Sequence, residues 1–227
     1  LGSALEAMFE ELRAEYDVIL IDGRTGITDK SGIFTAQLPD VLAFMFTANE
    51  QSFSGATDVA RRAALARNNV ALDKPRLVLL PIPARFEVQL EHAISSEWKQ
   101  RFVRDLADFY KNWAAENISV SRLVELTTIP YIPFWSFGEK LSAIEDDLGD
   151  KLSINYSLET IASLLAQSFS HTSLLVDSRD EYVSAARRLT RQKAGRPSVF
   201  ISHSDGDDAL AHHLARNLDE LGITALG

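Results

Sequence analysis

The run Tyr16–Asp29, YDVILIDGRTGITD, sets an aspartate and a glycine-rich loop directly behind an apolar, β-branched stretch. Such a stretch reads as a strand buried on both faces of a parallel sheet. Ligands of open α/β sheets gather outside the carboxyl ends of the strands. Asp22 at that end has the chemistry to hold Mg²⁺ through water, and the glycines of the loop let backbone N–H groups approach a phosphate. Arg24 can neutralise phosphate charge with a two-pronged contact. The same residues also suit an aspartate that caps a loop and pairs with Arg24 at the surface. The tetrapeptide alone leaves both readings open.

A second polar cluster, Ser202, His203, Ser204 and Asp205, follows another short apolar run, Ser198–Ser202. His212 and His213 suggest a metal site at first sight, but adjacent helical residues point about 100° apart and do not converge on one ion. Asp207, Asp208 and Glu220 read as solvated helix residues, and Asp146, Asp147 and Asp150 as a solvated turn. With no cysteine, neither a disulfide framework nor a thiolate metal site is available.

Composition narrows the classes further. The formal charge of −9 argues against a surface that grips nucleic-acid backbones by bulk electrostatics. The longest apolar run, Val41–Phe46, has six residues, against roughly 20 for a bilayer span. Residues 1–17 carry four glutamates and no basic leader, unlike a signal peptide. A reducing cytoplasm fits the absence of cysteine. The first residue is Leu1 rather than Met, and Gly227 falls inside an apparent strand, so the sequence reads as a segment of something longer.

The elements that would position these residues follow from periodicity. Leu5, Met8, Phe9 and Leu12 predict an amphipathic helix over 3–15. Strands are expected at 16–22, 41–47 and 76–81, with an alanine- and arginine-rich crossover helix at 51–68 making a βαβ unit. An aromatic and aliphatic stripe from Leu90 to Trp113 predicts one long core-packed helix over 87–117. A short helix at 120–126, a strand over 128–135 and a helix over 157–169 capped by Ser157 complete the first part. Residues 178–197 read as a helix and linker ending in Ala-Gly-Arg-Pro. Beyond them lie a strand at 198–202, an amphipathic helix at 207–221 closed by Gly222, and a last strand from Ile223. The fold class is α/β, with a domain boundary near 192–197.

The run from Tyr16 to Ala63, with PIPARFE (81–87) and IPYIPFWSFGEKL (129–141), resembles the post-Walker-B part of ParA/MinD-like, SIMIBI-class ATPases. More narrowly it is similar to the bacterial subgroup that reads "DSRTG" here, over roughly Leu5 to Phe169. The resemblance implies that Asp22 is the switch-II aspartate near Mg²⁺. Arg24, Thr25 and Gly26 would form the loop that senses the γ-phosphate of ATP, and Pro81 to Pro83 would lie near the base-binding edge. Gly23 replaces the usual serine and loses its hydroxyl. No Gly-x-x-x-x-Gly-Lys-Ser/Thr motif occurs, so neither the lysine nor the N–H cradle for phosphates is present. The expectation is that this chain alone neither binds ATP tightly nor hydrolyses it, and that its sheet is partly open where strands are missing.

Residues 198–226, SVFISHSDGDDALAHHLARNLDELGITAL, read either as one more βαβ unit of the first domain or as something new. They resemble the opening of TIR domains. That resemblance implies the start of a flavodoxin-like domain that self-assembles or cleaves NAD⁺, with Ser202, His203, Ser204 and Asp205 lining the NAD pocket and no catalytic residue within this chain. The domain division is then 1–177 for the ATPase part, 178–197 for helix and linker, and 198–227 for the TIR part. The implied function is a bacterial signalling protein of the defence type, in which nucleotide-dependent homo-oligomerisation controls a TIR effector. The alternative is a non-enzymatic scaffold.

Overall fold

A computed structural model describes residues 2–23, 32–68, 75–87, 92–136, 142, 152–192, 198–202, 215–216 and 224–226. The chain is α/β. Helix α1 (Gly2–Glu15) leads into strand β1 (Val18–Ile21), and a single π-helical turn (Ile33–Gln37) precedes β2 (Val41–Phe46). Helix α2 (Glu50–Asn68) then crosses to β3 (Val78–Pro83). There follow α3 (His92–Asp105), α4 (Ala107–Tyr110), α5 (Val120–Thr127), α6 (Ile154–Ala166), α7 (Leu174–Asp177) and α8 (Arg179–Gln192). Two short strands, β4 (Ser198–Ser202) and β5 (Thr224–Leu226), close the sequence of elements.

The strands form two parallel sheets, β2–β3 and β1–β4–β5. The expected βαβ unit is present as β2–α2–β3. The pairing of β1 with β4, Val18 opposite Val199 through Ile21 opposite Ser202, joins residues that the sequence had set on either side of a linker.

The core covers one face of β2 and both faces of β3, where Leu79 through Pro83 are all buried. Phe44 and Phe46, two residues apart in β2, point to the same face, where Phe53 of α2 and Phe102 of α3 both meet Phe46 edge-on at centroid distances of 5.2 and 5.3 Å. Phe109 meets Phe44 at 5.2 Å. Each fully buried aromatic of this kind contributes about 1.5–3 kcal/mol through area removed from water.

Several expected elements take different bounds, each for a local reason. The stripe over 87–117 is interrupted: Leu106 separates α3 from α4, and the helix stops at Tyr110. Trp113 turns inward instead and donates its indole N–H to the Leu79 carbonyl at 3.0 Å. The strand expected over 128–135 is one isolated bridge, Phe86 with Pro130, followed by a 3-10 turn at Pro133–Ser136. Pro130 and Pro133 lack the N–H that would extend a ladder. The cap of α6 is Ser153, whose hydroxyl accepts from the Tyr156 amide at 3.1 Å. Ser157 lies a turn later and donates to the Thr128 carbonyl at 2.6 Å. The helix expected at 207–221 falls almost wholly outside the described residues, of which only 215–216 are helical.

Strand β3 begins two residues later than expected because its prolines lie inside it. The Val78 amide donates to the Asp40 carbonyl, and the Ala84 amide to the Phe46 carbonyl. In a parallel ladder, successive residues direct their polar groups to opposite edges. Even-numbered residues of β3 therefore face β2, and Leu79, Pro81 and Pro83 face the outer edge. The missing proline N–H groups cost the ladder nothing there.

Two buried arginines hold irregular backbone in place. Arg67, at the end of α2, is 4% exposed and donates to the carbonyls of Ala36, Gln37 and Pro75 at 2.9, 2.8 and 3.1 Å. It thereby satisfies the carboxyl end of the π-helical turn. Arg179, 5% exposed, donates to Thr160 Oγ1, the Tyr156 carbonyl and Glu159, and lies 4.1 Å over the Tyr156 ring. Glu159 also accepts from Arg187, so α6 and α8 share one charged clasp.

Candidate functional site

The site suggested by the sequence lies at the carboxyl ends of the strands. β1 ends at Ile21, and Asp22 and Gly23 follow at once, both exposed. Nothing lies within 4 Å of a Cβ built on Gly23, so a serine there would meet no steric obstacle. Arg24, Thr25 and Gly26 lie outside the described residues.

Parallel pairing brings Ser202, the first residue of the second constellation, to the same edge. Ile21 is in register with Ser202, the last residue of β4, so Asp22 lies one residue beyond that pair. His203, Ser204 and Asp205 lie outside the described residues. The sequence carried no local signal for this adjacency, because parallel neighbours are joined by long crossovers rather than by a turn with its own residue signature.

Pro81 and Pro83 are buried in β3, Pro81 opposite Phe44 and Pro83 opposite Phe46. The carbonyl of Pro83 accepts from the Ile129 amide at 2.8 Å. Both prolines close the outer edge of this sheet, and Pro83 marks the carboxyl end of β3.

The residues after β2 are engaged with one another. Asn49 caps α2 through Oδ1, which accepts from the Ser52 amide at 2.9 Å, and its Nδ2 donates to Thr47 Oγ1 at 2.6 Å. Ser52 Oγ accepts in turn from the Thr47 amide at 3.0 Å. The first turn of α2 is thus already capped from within. Glu50 receives both prongs of the Arg101 guanidinium, at 2.5 and 2.9 Å, and this contact holds its carboxyl below the ordinary range. Arg101 also lies 5.0 Å over Phe53 and 4.9 Å over Trp98. These charges clasp α2 to α3.

Arg85 was not singled out within PIPARFE, yet it has the most unusual backbone at this edge. Its φ of 51° is left-handed, a region that costs an L-residue roughly 1–2 kcal/mol. Bonds on both sides fix it: Ala84 N–H to the Phe46 carbonyl at 2.7 Å, and Phe86 N–H to the Ile129 carbonyl at 3.1 Å. The exposed guanidinium lies 5.4 Å over the Tyr131 ring. Left-handed residues in sequences are usually signalled by glycine or asparagine, so arginine gave no warning.

Among the described residues, no group of three or more His, Cys, Asp or Glu side chains could hold a metal ion. Asp22 alone suits an outer-sphere contact to Mg²⁺, which in phosphate sites draws its other ligands from water and the nucleotide. The residues of this chain do not make a Mg–ATP site by themselves: one carboxylate is in place, and the lysine and phosphate cradle are absent from the sequence. No helix among the described residues is long and apolar enough to cross a membrane. Comparison with family models, with curated proteins and with solved structures finds no match to this chain.

Proposed function

We propose that this chain is the carboxyl-terminal part of a ParA/MinD-like ATPase domain joined to the opening of a TIR domain. It would serve a bacterial cytoplasmic signalling protein in which Mg²⁺ and ATP promote assembly and assembly controls the TIR effector. The observation that carries this reading is the exposed Asp22, set immediately beyond a parallel strand at the edge where α/β sheets bind ligands. Arg24, Thr25 and Gly26 would extend the site toward the γ-phosphate. Ser202, His203, Ser204 and Asp205 would line an NAD pocket whose cleaving residue lies elsewhere. Nucleotide that favours the oligomer also raises the local concentration of fused TIR units, which is ordinary linkage.

The alternative is a non-enzymatic scaffold. The observation in its favour is the ladder between β4 and β1, which builds residues 198–202 onto the first sheet. Two measurements separate these readings. Equilibrium dialysis of this chain with Mg-ATP should give a dissociation constant in the millimolar range or weaker; micromolar affinity contradicts the assignment of a missing phosphate cradle. Light scattering on a polypeptide joining these residues to a P-loop segment should show assembly with Mg-ATP that Asp22→Ala abolishes. Assembly indifferent to nucleotide and to Asp22 supports the scaffold.

A further inference from the structure

Helix α6 ends in a motif that ordinarily calls for glycine. The Phe169 amide donates to the Leu164 carbonyl at 2.8 Å and the Ser168 amide to the Leu165 carbonyl at 3.0 Å. With Gln167 as the C-cap, these are the paired bonds of a Schellman end, whose first residue past the cap is left-handed. Ser168 occupies that place with φ 48°, Phe169 follows at 59°, and His171 stands at 57°. Three of the four non-glycine residues with positive φ among the described residues thus fall within four positions. The stretch, QSFSHTS, contains no glycine. Left-handed backbone drives Cβ against the following carbonyl oxygen, so each of the three carries a steric cost that glycine would avoid. Such backbone persists only where its surroundings over-determine it.

Those surroundings press from two sides. On one side the Phe169 ring meets Trp113 edge-on at 5.0 Å. The Thr172 hydroxyl accepts there from the Ala115 amide at 2.9 Å and donates to the Trp113 carbonyl at 3.3 Å. On the other side Tyr182 of α8 donates its hydroxyl to the Ser170 carbonyl at 3.0 Å, and its own carbonyl accepts from Gln167 Nε2 at 3.1 Å. The turn holds α8, and α8 holds the turn. Only the first half of α8 is seated: Tyr182, Val183 and Ala186 are buried, whereas Arg188, Leu189 and Thr190 are exposed. A groove of about 310 Å³ opens between α6 and α8 beside Ala162, Ala166 and Thr190, so this contact is incompletely filled.

We infer that residues 168–171 are a strained hinge, and that α7 and α8 swing away from α6 as one unit when it relaxes, leaving the β2–β3 core folded. The swing gives up the burial of Leu175, Tyr182 and Val183 and the Arg179 clasp. Return of three left-handed residues to ordinary backbone offsets part of that loss. Two arrangements of one element, close enough in free energy to exchange, make a switch. Because α8 ends at Gln192 and β4 begins at Ser198, a swing of α8 moves the chain that feeds β4 and its ladder with β1. The inference stands on backbone geometry and does not depend on nucleotide binding.

Native-state amide exchange in dilute urea tests this on the 227-residue chain. The amides of Leu175, Tyr182, Val183 and Ala186 are expected to exchange through one shared opening, at least about 100-fold faster than those of Leu80 and Ile82 in β3. Ser168→Gly and His171→Gly relieve the docked turn and should each slow that opening about fivefold. Arg67→Met acts on the π-helical turn, outside the hinged unit, and should speed exchange in β3 while leaving the shared opening unchanged. The wild-type rates keep the test valid if a variant misfolds. Exchange of α7 and α8 at the rate of Leu80 and Ile82, an opening that neither glycine slows, or one that quickens with Arg67→Met overturns the inference.

Discussion

Tyr110 is fully buried, and among the described residues its hydroxyl makes no hydrogen bond of good geometry, Thr127 being its polar neighbour. Thr127, also buried, spends its own hydroxyl on the Leu123 carbonyl at 2.9 Å. A buried hydroxyl without a partner costs about 1–3 kcal/mol in lost hydration. Tyr110→Phe keeps the ring that meets Trp113 at 5.5 Å and removes the orphaned oxygen. The variant should therefore be at least as stable as the wild type, by about 1 kcal/mol in urea unfolding; a loss of 1 kcal/mol or more would show that the hydroxyl is satisfied after all. Arg179 is the opposite case, buried and engaged by Thr160, the Tyr156 carbonyl and the half-buried Glu159. Neither tyrosine nor clasp was legible in the sequence. An aromatic stripe identifies what is buried, but not which polar tip finds a partner.

Elements with strong local patterns were legible. The apolar runs at β1 and β2 and the alanine-rich α2 all occur close to their expected bounds, but the expected burial on both faces does not hold, since Leu20 and Met45 are exposed. The prolines misled in opposite ways. Pro81 was read as ending a strand but sits within it, and β3 runs on to Pro83, both on the side that needs no donor, whereas Pro130 and Pro133 do prevent a ladder. The π-helical turn at Ile33–Gln37 was not foreseen, since its stability comes from a residue 30 positions away: Arg67, whose guanidinium bonds the Ala36 and Gln37 carbonyls. Arg67→Met keeps much of the buried stem but removes the donors to three carbonyls. It should destabilise the chain by about 2–4 kcal/mol, read as a fall in the urea midpoint. A change below 0.5 kcal/mol would mean that water replaces the guanidinium without penalty. At the candidate site, the position of Asp22 at a strand end was legible, and its neighbourhood with Ser202 was not, because parallel pairing is decided by tertiary packing.

On the scale of the whole molecule, a net charge of −9 and two deeply buried tyrosines set how stability responds to alkali. Burial pushes the Tyr182 phenol up to about 12, and pushes Tyr110 up as well. Below pH 10 both groups are neutral whether the chain is folded or not, so their contribution is constant. As pH rises past 10 the unfolded chain loses phenolic protons that the folded chain keeps, and stability falls by up to about 1.4 kcal/mol per pH unit for each tyrosine until the folded group also ionises. Urea midpoints measured from pH 9 to 12 should fall steeply, and less steeply in Tyr182→Phe, which retains the ring but loses the ionisable group and its bond to the Ser170 carbonyl. Equal slopes in the two proteins would place the alkaline transition elsewhere.

The strands fall into two separate parallel sheets, and among the described residues the edge of β2 away from β3 has no strand partner. Amide exchange followed residue by residue along β2 in the 227-residue chain tests it most directly. Leu42, Phe44 and Phe46, bonded to β3, should exchange slowly, and Val41, Ala43 and Met45, directed away from β3, faster by a factor of at least about 100, in strict alternation along the strand. Uniform strong protection of all six amides would mean that β2 is paired on both edges, and that the sheet is closed.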